Sequence, residues 1–214
     1  MQNHDTERLK REFETLWLAV AEDDPAHADH VCQVLTGHYS EPGRYYHNLA
    51  HVNHCLGQAR LVAGLLPDVH ALELAIWFHD VVYDPRAHDN EARSATLFRE
   101  LSGPVMAAAI VDHVERLVLV TQAGRTPRQA DEACMVDIDY SSFGLPWEPF
   151  LADSLAVRAE RSHLTDEQYV VQQSGMLQGL LRREAVFTTE LFRARYEDTA
   201  RSNIARYLEL IGRR

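Results

Sequence analysis

Apolar side chains recur every three or four positions along most of the chain. The first clear case places Leu9, Phe13, Leu16, Trp17 and Val20 on one face of an amphipathic helix. The strict alternation of apolar and polar residues that is typical of half-buried strands is absent, and so are the dipeptides that favour tight hairpins. The pattern therefore predicts an all-α protein.

Short breaks of proline, glycine and polar residues divide this pattern into ten segments. The predicted helices are Glu7–Ala21, Ala26–Tyr39, Tyr46–Leu66, Val69–Val82, Asn90–Leu101, Pro104–Thr121, Thr126–Asp139, Trp147–Ser162, Asp166–Leu181 and Thr188–Ile211. The helix Val69–Val82 is apolar on all sides, which predicts a buried central position. The β-branched and aliphatic residues of Leu117–Val120 leave a strand open there. Because no linker or repeat interrupts the series, we expect one domain over residues 1–214, with its motifs at about 45–145 and C-terminal helices at 147–211 that pack on them.

Composition narrows the class of protein. The 214 residues are 46% hydrophobic and 25% charged, which is typical of a globular protein. The 21 basic and 32 acidic residues give a net charge of −11, which argues against a broad surface for nucleic acid or membrane. No apolar run approaches the roughly 18 residues of a membrane span. The oligomeric state is left open, and a homo-oligomer is one possibility.

Cysteine usage predicts the compartment. Cys32, Cys55 and Cys134 form no CxxC pair, so neither a disulfide framework nor a zinc knuckle is indicated. The charged N-terminal segment is not typical of a signal peptide. We therefore expect a reduced, cytoplasmic protein.

Histidine and aspartate cluster in three short segments. His47 and His51 are four residues apart on the predicted helix Tyr46–Leu66, so both imidazoles would project from one face. The pair His79-Asp80 lies at the end of the apolar central helix, where an ionised carboxylate needs a partner and a cation is one way to supply it. Asp137 and Asp139 form the third segment, again among apolar residues. Two histidines with carboxylates make a nitrogen and oxygen site suited to Mn, Fe, Co, Ni, Zn or Mg.

Taken together, these segments resemble the HD superfamily of metal-dependent phosphohydrolases, in which the order of motifs is His, His-Asp, Asp. The chain is similar to a bacterial branch that carries YHN-x-x-H, W-x-H-D-x-V-Y-D, D-N-E-x-x-S-A and D-x-D-x-x-x-x-G segments. Here those segments are Tyr46–His51, Trp77–Asp84, Asp89–Ala95 and Asp137–Gly144. The resemblance extends over about residues 12–210, and the combination is specific although each motif alone is weak.

The resemblance implies a set of metal ligands, namely His51, His79, Asp80 and Asp139. Asp139 is preferred to Asp137 because the last ligand of the superfamily usually leads the small-residue stretch that follows. His47 is then the general acid that protonates the leaving oxygen, and it is a catalytic residue together with Asp80. One divalent metal ion is implied.

Further residues have two interpretations each. Arg44 is either a phosphate contact or a solvated loop arginine. Asp84 and Glu91 either orient a metal ligand or cap a helix. Asn90 either contacts substrate or is an N-cap. Asp137 is either a carboxylate behind the ligands or an exposed helix residue.

The segment Thr121–Gly124 lacks a histidine that often stands there in the similar branch, which makes one metal a better prediction than two. His54 and His113 are expected to be structural or surface residues. The sequence thus predicts a phosphohydrolase that acts on a nucleotide or other small phosphate ester through a metal-bound hydroxide. Three alternatives remain: a phosphodiesterase or pyrophosphohydrolase rather than a monoesterase, a silent domain that senses nucleotides or binds a partner, and a di-iron oxygenase.

Overall fold

A computed structural model describes residues 3–213, and the all-α prediction is confirmed there. Across these residues there are ten α-helices, one short 3₁₀ helix at Ser141–Gly144 and no strand. The helices are α1 (Asn3–Val20), α2 (Pro25–His38), α3 (Leu49–Val62), α4 (Val69–Phe78), α5 (Asn90–Ser102), α6 (Ala108–Leu119), α7 (Ala130–Tyr140), α8 (Trp147–Glu160), α9 (Asp166–Arg182) and α10 (Glu190–Ile211). The alternative prediction of a strand at Leu117–Val120 is wrong, because these residues form the last turn and the C-cap of α6.

The chain divides into two compact units, Met1–Met135 and Val136–Arg214, with the division inside α7. The expectation of one domain stays a prediction. Over the part of the chain that the structure describes, no helix has the length and apolar character needed to cross a membrane.

Helix α4 is the centre of the first unit. It contacts α1, α3, α5 and α6, and seven of its ten side chains are buried. Because α4 is apolar on all sides, it can be covered from several directions at once. Aromatic rings close this core: Phe13 meets Trp77 edge-on at 5.1 Å between centroids, and Phe78 meets Phe98 at 4.9 Å. The predicted central helix is therefore confirmed, but it ends at Phe78 rather than Val82.

The first turn of α3 corrects a prediction about the histidines. The side chain of Asn48 accepts a hydrogen bond from the N–H of Ala50 at 2.8 Å, which makes Asn48 the N-cap. The helix therefore begins at Leu49, and His47 lies in the preceding turn. The prediction that His47 and His51 share one helix face is wrong.

In the second unit, α10 contacts α8, α9 and the 3₁₀ helix. Asn203 of α10 donates to the carbonyls of Phe143 and Leu145 at 2.9 and 2.8 Å. A side chain at Gly144 would place its Cβ 2.5 Å from Cβ of Tyr196, so glycine permits this close approach.

Candidate metal centre

Three side chains of the first unit converge just beyond the end of α4. The Nε2 atoms of His51 and His79 are 3.2 Å apart. Oδ2 of Asp80 lies 2.9 Å from Nε2 of His79 and 3.6 Å from Nε2 of His51. Both histidines are buried, whereas the Asp80 side chain retains 17% of its exposure. This buried group could hold a metal ion, and we call it the His/Asp cluster.

Two helix ends bring these side chains together. His51 is the third residue of α3, so the Asn48 cap fixes its position, and its ring packs 4.8 Å from the ring of Tyr46. His79 is the C-cap of α4 and donates its backbone N–H to Ala75 at 2.8 Å. The helix stops there, and Asp80 therefore belongs to the following turn.

The hydrogen bond at Nδ1 of His79 decides which nitrogen faces the cluster. Nδ1 lies 2.8 Å from the backbone carbonyl of Ile76. A carbonyl only accepts, so Nδ1 carries a hydrogen. In the neutral ring Nε2 then directs a lone pair toward Asp80 and His51, and in the protonated ring it donates a hydrogen bond to Asp80. An imidazole lone pair next to a carboxylate requires a cation between them, either a proton or a metal ion. Metal-binding histidines are commonly oriented by such a carbonyl, and the donor set of two imidazoles and a carboxylate fits a divalent metal.

The charge on Asp80 suits the same role. Burial alone would raise its pKa, but the neighbouring charges of His79, His47 and His51 and a hydrogen bond from His79 hold the pKa well below its usual value. Asp80 is therefore ionised near neutral pH, as a carboxylate ligand must be.

Arg44 has a different role from either one expected. It donates to the carbonyls of Asp80 at 2.6 Å, Val81 at 2.7 Å and His47 at 3.2 Å. Its Nε donates to Glu41 at 3.0 Å, and its side chain is only 3% exposed. The solvated loop arginine is wrong, and these bonds leave no support for the phosphate contact. Arg44 fixes the backbone of the turn that carries Asp80.

Asp84 and Asn90 bind each other. The N–H of Asp84 donates to Oδ1 of Asn90 at 3.0 Å, and Nδ2 of Asn90 donates back to the Asp84 carbonyl at 2.9 Å. The Asp84 carboxylate accepts the N–H of Arg86, so it caps a turn and not a helix. Asn90 is the first residue of α5 and Asp89 holds the N-cap position, so the N-cap interpretation of Asn90 is wrong. Glu91 lies in the first turn of α5, and its link to a ligand stays a prediction.

Three neighbours of the site were not identified from the sequence. Tyr83 stacks on His47 with ring centroids 4.1 Å apart. Sγ of Cys55 lies 3.7 Å from Nε2 of His51, one helical turn earlier on α3. The buried Tyr39 hydroxyl donates to the carbonyl of Trp77 at 2.9 Å. The four-residue spacing from His51 could have pointed to Cys55, whereas Tyr39 gives no local signal.

His47 lies near the cluster but is not part of it. Its ring centroid is 6.2 Å from that of His51. Its role as general acid stays a prediction. Among the other histidines, His113 pairs with Asp131 at 2.5 Å, in agreement with a structural role.

In the second unit, α7 separates the two candidate aspartates by burial. Asp137 is fully buried, and its two oxygens accept the N–H groups of Thr188 and Thr189 at 2.7 and 2.6 Å. Burial raises the pKa of Asp137 despite these bonds. The exposed helix residue is therefore wrong for Asp137, which stabilises the chain just before α10. Asp139 is partly exposed, and its role as a ligand stays a prediction. The hydrogen bonds that Asp137 accepts from Thr188 and Thr189 support it, because they occupy the other candidate carboxylate.

Comparisons with protein-family models, with curated proteins and with solved structures find no match to the chain. The family resemblance therefore depends on the four motifs alone. The chemistry of the site has to be judged from the geometry of its own side chains.

Proposed function

We propose that the chain is a metal-dependent phosphohydrolase of the HD superfamily that acts on a nucleotide or another small phosphate ester. The observation that carries this proposal is the convergence of His51, His79 and Asp80, with Nε2 of His79 directed into the cluster. Nitrogen and carboxylate donors in a mostly buried position favour a divalent metal over an accidental contact.

The proposed ligands are His51, His79 and Asp80, with Asp139 as the fourth on the strength of the family resemblance. A bound divalent ion would lower the pKa of a water molecule and neutralise negative charge on a phosphoryl group. The carboxylate of Asp80 is ionised in advance, so it does not have to lose a proton to bind the ion.

The proposed proton donor is His47. Its ring stacks on Tyr83, and this contact limits the orientations that the imidazole can take. A positioned imidazole protonates a leaving oxygen well at neutral pH because its usual pKa lies near that range. Arg44 donates a hydrogen bond to the backbone carbonyl of His47 and so fixes the turn that carries this imidazole.

Metal content and hydrolysis, measured on the same protein samples, test the proposal. Wild type is expected to hold about one divalent ion per chain and to release phosphate from some members of a substrate panel. Both properties should be lost in Asp80→Ala. The matched control is Asp198→Ala on α10, which removes an exposed carboxylate outside the motif segments and should keep both.

The panel contains phosphomonoesters, phosphodiesters and pyrophosphates, so its products separate the three hydrolase classes. Tight nucleotide binding without turnover would indicate a nucleotide sensor instead of an enzyme. Two irons per chain together with consumption of dioxygen would indicate an oxygenase. Absence of metal from wild type, even after Mn or Co is added, would remove the basis of the proposal.

A further inference from the structure

A cavity of the first unit lies between α1, α3 and α4. Its volume is about 520 Å³, within the range of sites for small ligands. The residues that define it here are Arg8, Arg11 and Leu16 of α1, Leu56 and Arg60 of α3, and Trp77 of α4. We call it the α1–α4 groove. None of His51, His79 and Asp80 lines it, so it is distinct from the His/Asp cluster.

The groove gathers positive charge in an acidic protein. Its lining includes three arginines, although the whole chain has a net charge of −11. Glu12 takes up part of this charge, because Arg8 and Arg60 lie 2.6 and 3.6 Å from its carboxylate oxygens. The structure of residues 3–213 gives the Arg11 guanidinium no hydrogen bond and no ion pair. Arg11 therefore remains available to an anion.

The groove is also lined by the carboxylate of Glu73, which has no hydrogen-bond donor within the described chain. Glu73 lies on α4 and is half-buried. Burial raises its pKa, while the charges of His70 and Arg60 act against this rise. A partly desolvated acceptor of this kind is stabilised by an N–H or O–H group of a ligand.

The floor of the groove is apolar. Leu16, Leu56 and Trp77 line it and are 8%, 7% and 1% exposed. Apolar surface beside a few polar groups is typical of sites that bind organic molecules rather than inorganic ions.

We propose that the α1–α4 groove binds a small organic anion that carries an apolar ring or chain and at least one N–H or O–H donor. The anionic group contacts Arg11 and Arg60, the apolar part lies on Leu16 and Leu56, and the donor binds Glu73. This site is independent of the proposed hydrolase activity, since it shares no ligand residue with the His/Asp cluster.

Anilinonaphthalene sulfonate is a suitable probe because it combines aromatic rings, a sulfonate and one N–H. Its fluorescence should report one saturable site on wild type. Loss of a charge-assisted hydrogen bond in Arg11→Gln should weaken binding about tenfold. In Ala19→Trp, an indole added at an exposed lining position should block the groove and remove the signal.

The matched control is Arg93→Gln on α5, which removes the same charge from an exposed position outside the groove and should bind as wild type does. Indoxyl sulfate, which combines an aromatic ring, a sulfate and one N–H, should displace the probe, whereas inorganic sulfate at the same concentration should not. Wild-type binding in both Arg11→Gln and Ala19→Trp would overturn the proposal. Equal weakening in Arg93→Gln would also overturn it, because the probe would then be reporting net charge alone. Thermal melting of each variant shows whether it is folded.

Discussion

The hydrogen bond from Nδ1 of His79 to the Ile76 carbonyl is made within a single turn of chain, yet it sets the chemistry of the whole His/Asp cluster. With that hydrogen fixed on Nδ1, Nε2 is the nitrogen that faces Asp80 and His51, and in the neutral ring it carries the lone pair. The same reasoning applies to the two aspartates of α7. The buried Asp137 carboxylate accepts the backbone N–H groups of Thr188 and Thr189, whereas Asp139 is partly exposed.

Exchanging each of these aspartates for asparagine separates the two roles. Asp139→Asn should lower the metal content and leave the free energy of unfolding of the metal-free protein almost unchanged. Asp137→Asn should keep the metal and lose about 1–3 kcal/mol of stability, because an amide NH₂ would face the backbone donors of Thr188 or Thr189. Metal analysis and urea unfolding of both variants provide the measurement. Metal loss confined to Asp137→Asn would assign the ligand to Asp137 instead.

Arg44 gives a prediction about positioning. Lysine keeps the positive charge but cannot reproduce the planar fork that reaches the carbonyls of Asp80 and Val81. We expect Arg44→Lys to lower the free energy of unfolding by about 2–4 kcal/mol and to weaken metal binding at least tenfold. The measurements are urea unfolding and a metal titration. Glu41→Gln, which removes the half-exposed partner of Arg44, should change both by much less. Unchanged metal affinity in Arg44→Lys would show that the turn holds its shape without this residue.

At the scale of helices, the connection between α9 and α10 depends on one carboxylate. Glu197 accepts the N–H groups of Val186 at 2.8 and 3.0 Å and of Phe187 at 3.1 Å, and it pairs with Arg201 at 2.6 Å. Burial would raise the pKa of Glu197, but these hydrogen bonds and the Arg201 charge lower it below its usual value of 4.5.

A folded-state pKa below the unfolded one fixes the sign of the pH dependence. The stabilisation by Glu197 is complete above the unfolded pKa and is lost as the pH falls through the folded one. Glu197→Gln should therefore cost about 2 kcal/mol at pH 7 and progressively less below about pH 4.5. Urea unfolding across this range compares the variant with wild type. A cost that stays constant with pH would mean that the carboxylate charge contributes nothing.

Helix number and the central position of α4 follow from periodicity, because a helix that packs on a core repeats its apolar residues every three or four positions. The start of α3 does not follow in the same way. The sequence predicts a start at Tyr46, and only the hydrogen bond from the Ala50 N–H to the Asn48 side chain shows that the helix begins at Leu49. The start of α7 was likewise predicted at Thr126, four residues before Ala130. Ends of helices are set by a few local bonds that periodicity does not report.

The candidate ligands could be proposed from motifs, whereas their supports could not. The contact of Arg44 with Asp80 joins residues 36 positions apart, and that of Thr188 with Asp137 joins residues 51 apart. Neither pair has a local spacing that would predict it. For this reason the sequence left Arg44 between a phosphate contact and a solvated loop arginine, and Asp139 could be preferred to Asp137 only through the family resemblance.

At the scale of the whole molecule, the His/Asp cluster links metal binding to stability. His51 lies on α3, and His79 and Asp80 follow α4, the helix on which the core of the first unit is built. A metal that binds this cluster only in the folded state stabilises that state by RT ln(1 + [L]/Kd), about 2.7 kcal/mol at a hundredfold excess over Kd. For a chain of 214 residues, this corresponds to a rise in melting temperature of roughly 5–10 °C.

We therefore expect chelator-treated protein to gain such a rise on addition of Mn²⁺ or Zn²⁺, and Asp80→Ala to gain none. Calorimetry of the two proteins with and without metal is the measurement. An equal rise in both would place the metal on other side chains, since the remaining two histidines without Asp80 bind a divalent ion far more weakly.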